Sequence, residues 1–305
     1  MGGLPRPAAA PISWGVSEVP GWGVQMPSAR VLTEMRAAGF KATELGPLGF
    51  LPDDAPELRR TLEAAGLGLV GGFLALPLHL PARRSDCLHH AARVAATIAG
   101  GGGGLLILAV AAEAEGYDHR PELDAEGWRE LEAGLRAVAA VARERCLETC
   151  VHPHWGTMLE RPGEVDRLLR MPDIRLCLDS GHLALGGSDP VRVAEAAGER
   201  TIHVHLKDLD GEMAGRVRSG SLSFSEAVAR GLFPALGDGD VDLRGLIRRL
   251  RGQGYGGWYV IERDIALSAE PEPGAGPVAD MHRSLTFLAQ VAQATAGPIT
   301  QRGIQ

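Results

Sequence analysis

The stretch "TIHVHLKD", residues 201–208, begins as a strand and ends as chemistry. His203, His205 and Lys207 fall at alternate positions, so an extended chain turns all three to one face. Three more apolar runs finish in ionisable groups: "ETCVHPH" (148–154), "IRLCLDS" (174–180) and "GWYVIER" (257–263). Upstream lie "PISWGV" (11–16), "KATELG" (41–46), "LGLVGGFLAL" (67–76) and "GLLILAV" (104–110), short and aliphatic, bounded by Gly, Pro or Asp as strands are. Helical patterns separate them. "SARVLTEMRAAGF" predicts a helix with Ser28 as N-cap and Gly39 as its stop, and "PELRRTLEAAGL", "EGWRELEAGLRAVAAVARE" and "VDLRGLIRRLRGQG" repeat the pattern.

Eight strand–helix alternations call for parallel strands with crossover helices, and eight closes a (β/α)8 TIM barrel in a chain of 305 residues. The expectation is an α/β chain forming one barrel domain over residues 1–305. A doubly wound open sheet is the alternative, but "SWGVSEVPGWG" lacks the GxGxxG fingerprint after the first strand. The glycine run Gly100–Gly104 precedes a strand and reads as an αβ turn, not a phosphate cradle.

Composition narrows the partners. A net charge of −7 without a long Lys/Arg run argues against nucleic acid, whose phosphates need a basic surface. No run approaches ~18 apolar residues, so no membrane span is expected. Cys87, Cys146, Cys150 and Cys177 form no CxxC motif and no disulfide-like spacing, which fits reduced thiols in the cytoplasm.

In such a barrel the chemistry sits at the C-terminal ends of the strands. Glu44, His152, His154, Asp179, His182, His203, His205, Lys207, Glu262 and Asp264 all fall at or just beyond such ends. Imidazoles and carboxylates together bind first-row divalent metals. The set chosen is His152, Asp179, His205 and Glu262, one per strand, with His154 as an alternative to His152. His203, two residues deeper, reads as a packed core histidine. His182, Lys207, His154 and Glu44 are the candidates for acid and base, and Trp14, Trp155 and Phe224 for the substrate wall.

Seven segments carry a resemblance: "APISWGVSEVPGW", "ATELGPLGFLPDD", "HPHWGTMLE", "LCLDSGHLALGGSDP", "HVHLKDLD", "LGDGDVDL" and "VIERD". From Pro11 to about Leu288 the chain resembles the xylose-isomerase-like TIM-barrel superfamily, most closely its myo-inosose (2-keto-myo-inositol) dehydratase branch. The resemblance implies a metal-dependent barrel, with Mn²⁺ or Co²⁺ foremost and Zn²⁺, Fe²⁺ or Mg²⁺ as alternatives. By position it implies His152, Asp179, His205 and Glu262 as ligands, in agreement with the strand-end choice. Two departures stand out: many members carry glutamate where His152 stands, and the dehydratases often have a third histidine where this chain has Pro153.

The resulting expectation is a lyase that dehydrates a cyclic polyol ketone through an enediolate. A keto-sugar or inosose epimerase or isomerase would share the first half of that chemistry. A C-glycoside β-eliminating enzyme and a non-catalytic sugar-binding barrel are thinner alternatives. The partner is a small polyol or keto-sugar, with a homo-oligomer allowed. Between Leu209 and Asp242 the chain is too long for an ordinary βα loop. With its own helical pattern, "SFSEAVARGLF", this segment is expected to lie over the barrel mouth as a lid, with Phe224 or Phe233 near the substrate.

Overall fold

The structure, a computed structural model, describes residues 5–113 and 116–294. Its sheet contains β1 (Arg6–Ala9), β2 (Ala42–Thr43), β3 (Gly68–Leu69), β4 (Gly71–Leu76), β5 (Leu105–Val110), β6 (Glu148–Val151), β7 (Leu176–Asp179), β8 (Thr201–Leu206) and β9 (Trp258–Ile261). All pairings between these strands are parallel, in the order β3-β2-β1-β9-β8-β7-β6-β5-β4. Only Val70 separates β3 from β4. Its N–H donates to the Thr43 carbonyl and its carbonyl accepts from Gly104, so β3 and β4 are two halves of one stave. The ring therefore closes as the eight-stave barrel the alternation predicts. β5, "LLILAV", is buried at every position, as a parallel strand covered on both faces must be.

The helices α1 (Ser28–Ala38), α2 (Ala55–Ala65), α3 (Arg84–Gly100), α4 (Ala125–Arg143) and α5 (Pro162–Leu169) alternate with the staves, and α6 (Ser180–Gly186) and α7 (Pro190–Ala197) both lie between β7 and β8. After β8 come α8 (Gly211–Arg218) and α9 (Phe224–Ala229), and then α10 (Leu243–Gly252) and, beyond β9, α11 (Pro277–Ala294). Their stops follow the sequence: Gly39 and Gly66 end α1 and α2 in the left-handed region, at φ 107° and 67°. Ser28 is not a cap, however. It is the first residue of α1, behind Pro27.

The first stave also departs from expectation. It is Arg6–Ala9, and residues 11–14 of "PISWGV" form a 3-10 turn closed by Gly15 at φ 77°. Pro11 starts that turn because its fixed φ suits a helical first position and it has no N–H for a ladder. Trp14 is consequently carried into the core, where its indole N–H donates to Glu34 on α1.

Asp208, just past β8, organises the long excursion that follows. Its carboxylate accepts N–H bonds from Leu209 and, across the chain, from Gly237, Gly239 and Val241, at 2.7–3.1 Å. Gly239 is needed there, since a Cβ would lie 2.5 Å from the carboxylate. Within the excursion, Leu209, Val217, Leu222, Phe224, Leu232 and Phe233 form their own buried apolar cluster, joined by Trp22 from the β1–α1 connection. No helix among the described residues is long and apolar enough to cross a membrane, and all four cysteines are free thiols.

Candidate active site

Each functional strand ends where the ring opens, which aims its last side chains at one point. His152, Asp179, His205 and Glu262 are all buried there, and one donor atom from each lies within 4.8 Å of the others. His152 Nε2 is 3.3 Å from Asp179 Oδ2, and His205 Nδ1 is 2.9 Å from Glu262 Oε2 and 3.6 Å from Asp179 Oδ2. Asp179 divides its labour: Oδ1 caps α6 by accepting the His182 N–H at 2.8 Å, which leaves Oδ2 to face the histidines.

The other edge of His205 is fixed by Glu44. Its Oε1 accepts from His205 Nε2 at 2.9 Å and from His203 Nε2 at 2.7 Å. Burial alone would raise the Glu44 carboxyl, but the two histidines hold it far below the usual carboxylate range. His203 is therefore more than core packing: it shares Glu44 with His205.

Lys207 stands beside the quartet, its ammonium 2.7 Å from Asp264, 3.3 Å from Glu262 and 3.5 Å from Asp179. It also donates to His182 Nε2 at 2.9 Å and lies over the Phe233 ring at 5.0 Å. Burial works against its charge, yet Asp179, Asp264 and Glu262 raise it above the ordinary lysine value, so it is cationic at neutral pH. The stem fits only because residue 181 is glycine, where a Cβ would sit 2.6 Å from Lys207 Cγ.

His154 donates from Nδ1 to the Trp155 carbonyl at 2.7 Å, which leaves Nε2 with its lone pair, and its ring stacks on His182 with centroids 3.6 Å apart. Burial, then the neighbouring His182, push His154 well below the ordinary imidazole value. Burial and Lys207 likewise lower His182. Both shifts favour the neutral imidazole.

Above these groups opens a cavity of about 310 Å³, lined by Glu44, His152, His154, His205, Lys207, Glu262 and Asp264 at its polar end. Ile12, Val16, Trp22, Leu48, Phe73, Tyr117 and Phe224 supply large apolar side chains to the wall. Phe224, a candidate for the substrate wall, is among the lining residues. Trp14 is not: it is fully buried against α1 and contributes nothing to the lining. Trp155 lines a neighbouring hollow with Tyr117, Glu160 and Leu222, and reaches the site through its backbone alone. His182 is set behind Lys207, off the cavity wall. Phe73 and Tyr117 were missed. Phe73 was legible as a residue of an identified strand, whereas Tyr117 lies on the β5–α4 connection, whose path no local pattern gives.

The sequence profile of the xylose isomerase-like TIM barrel matches residues 32–285. The chain belongs to that family. Within it, the rhizopine catabolism protein MocC of Rhizobium meliloti is 34% identical over 273 residues, covering 84% of this chain and 81% of that protein. An inosose dehydratase of Geobacillus kaustophilus is 32% identical over 273 residues, covering 85% and 87%. Among solved structures of the family fold, an L-ribulose 3-epimerase superposes with a TM-score of 0.72 at 16% identity, covering 99% of this chain and all of the other. A probable 3-DHS dehydratase, AsbF from Bacillus anthracis, gives a TM-score of 0.67 at 14% identity, covering 93% and 98%. This member of the xylose isomerase-like barrels is an enzyme of the sugar-modifying type.

Proposed function

We propose that the chain is a metal-dependent hydro-lyase that removes water from a cyclic polyol ketone of the inosose kind. The observation that carries the reading is the convergence of His152, Asp179, His205 and Glu262 beneath the cavity. The donor set suits a first-row divalent ion, with Mn²⁺ or Co²⁺ as our choice. One feature supports the fit: two carboxylates, Glu262 at 2.9 Å and Asp179 at 3.6 Å, crowd Nδ1 of His205. Once bound, such an ion supplies Lewis-acid polarisation of the ketone and template binding of a neighbouring hydroxyl.

The chain's own groups account for the rest. Lys207 is held cationic and cannot serve as a base; its ammonium stabilises the negative charge left on the substrate oxygen when the α-hydrogen is removed. His154, with Nε2 unengaged, is the proton acceptor we favour. His182 positions Lys207, and Glu44 positions His205; neither is assigned a proton-transfer step. The excursion over residues 209–242 acts as a lid, because Phe224 lines the cavity and Phe233 covers Lys207 and His182.

The decisive experiment incubates metal-replete protein with inososes and keto-sugars and follows ultraviolet absorbance together with mass. Loss of the mass of one water supports the dehydratase reading, to which the inosose dehydratase relatives also point. An unchanged mass with a new retention time replaces it with an epimerase or isomerase.

Two substitutions test the supporting cast. Glu44→Gln removes the charge that orients His205, so the metal dissociation constant should rise about 10- to 100-fold. An unchanged dissociation constant would leave Glu44 without the positioning role. Phe224→Ala should raise KM roughly tenfold, the worth of ~1.5 kcal/mol of apolar contact, with metal content as in the wild type. A normal KM would remove this residue from the substrate wall.

A further inference from the structure

One pleat below Asp179 on β7, and therefore on the same barrel-inward face, stands Cys177. It is fully buried, and the carboxylate site above it gives it no obvious task. Its sulfur and one ring nitrogen each of His152 and His205 form a second donor set, again with all atoms within 4.8 Å of one another. Apart from the two histidines its neighbours are apolar or thiol: Cys177 packs with Leu105, Ile107 and Cys150. His152 is itself buried, and its Nδ1 has no hydrogen-bond partner.

We propose that Cys177, His152 and His205 form a deeper metal site for thiophilic ions such as Zn²⁺ and Cd²⁺. The proposal rests on the reading of His152 and His205 as ligands, and adds a site that shares both with the oxygen-rich set above. Thiolate prefers soft ions, whereas carboxylate prefers hard ones, so each donor set selects a different cation. On binding, the Cys177 S–H bond breaks, the metal–sulfur bond forms and the proton leaves to solvent, with no change of oxidation state. Because two ligands are shared, filling one site disfavours filling the other. A soft ion in the lower site withdraws both imidazoles from the upper one, so Zn²⁺ and Cd²⁺ inhibit by competition for ligands and not by blocking the cavity.

The test uses the full chain, stripped of metal and titrated anaerobically with Cd²⁺ and separately with Mn²⁺. Bound metal is measured by equilibrium dialysis, and sulfur ligation by the ultraviolet thiolate-to-cadmium band. The expected result is a band that saturates at one equivalent, persists in Cys146→Ser and vanishes in Cys177→Ser and Cys177→Ala, while Mn²⁺ affinity is the same with and without the thiol. X-ray absorption on the Zn²⁺-loaded wild type needs no variant and should show a sulfur neighbour at about 2.3 Å. Bound Cd²⁺ without the band, a band indifferent to Cys177, or a Zn²⁺ shell of nitrogen and oxygen alone overturns the deeper site and leaves the upper one standing. If neither Mn²⁺ nor Cd²⁺ binds, the ligand reading of His152 and His205 fails and this site fails with it.

Discussion

Asp179→Asn should abolish turnover, by roughly 10³-fold or more, because the substitution removes a carboxylate worth several kcal/mol of charge placement at the reacting centre. Asparagine keeps an oxygen for the His182 N–H, so the cap of α6 survives and the barrel should stay folded by circular dichroism. What is lost is the charge facing His152 and His205. Metal measured on the purified variant should fall well below one equivalent, and Glu262→Gln should behave alike. Near-normal turnover with metal still bound in either variant would show that the quartet is not the ion site.

Lys207→Met should be the most destabilising single change. It leaves Asp264, Glu262 and Asp179 buried without their shared cation, and breaking a buried ion pair in this way costs about 3–5 kcal/mol. The pH dependence has a definite sign. Burial would raise Asp264, but Lys207 and His182 hold it below its ordinary value. Asp179, lowered by Lys207 and His182, and Glu262, lowered by His205 and Lys207, behave likewise against the same burial. Carboxylates with depressed values contribute stability that is full above their unfolded pKa of about 4 and lost as pH falls through the folded value. In wild type the contribution of these groups therefore survives below pH 4, whereas in Lys207→Met acid unfolding should begin at higher pH. The lysine's own contribution, from a raised value, is complete below its unfolded pKa near 10 and disappears only in strong alkali. Thermal melts of both proteins across the acid range would decide. An unshifted acid midpoint would mean that the ammonium does not hold these carboxylates.

The barrel was legible because a buried parallel strand needs an apolar run, and such runs recur between amphipathic segments from "KATELG" to "GWYVIER". The donor quartet was legible for a related reason. An ionisable group at the end of an apolar run must find a partner, and in a parallel ring all such ends face the same opening. The first stave was hidden because Arg6–Ala9 carries no large apolar side chain, while "PISWGV" offers several in a turn that Pro11 and Gly15 dictate. Trp14 and Trp155 misled in the same way: an aromatic beside a strand end can face the core, a neighbouring hollow or the cavity, and only tertiary packing chooses. The role of Glu44 was beyond local pattern, since its two histidine partners lie 159 and 161 residues further along the chain.

The carboxylate of Asp208 gathers the beginning and the end of the excursion into one knot. An element tied at both feet cannot swing as a door. Amide hydrogens of Gly237, Gly239 and Val241 should accordingly exchange with solvent only as slowly as the surrounding barrel core opens. Traffic of substrate and product would then fall to the rim where Ser17, Glu18, Pro47 and Leu48 border the cavity. Leu48, 42% exposed, is the exposed large apolar side chain among the described residues. If the two loops after β1 and β2 are the gate, crosslinking them to one another should trap ligand inside while leaving every residue of the excursion in place.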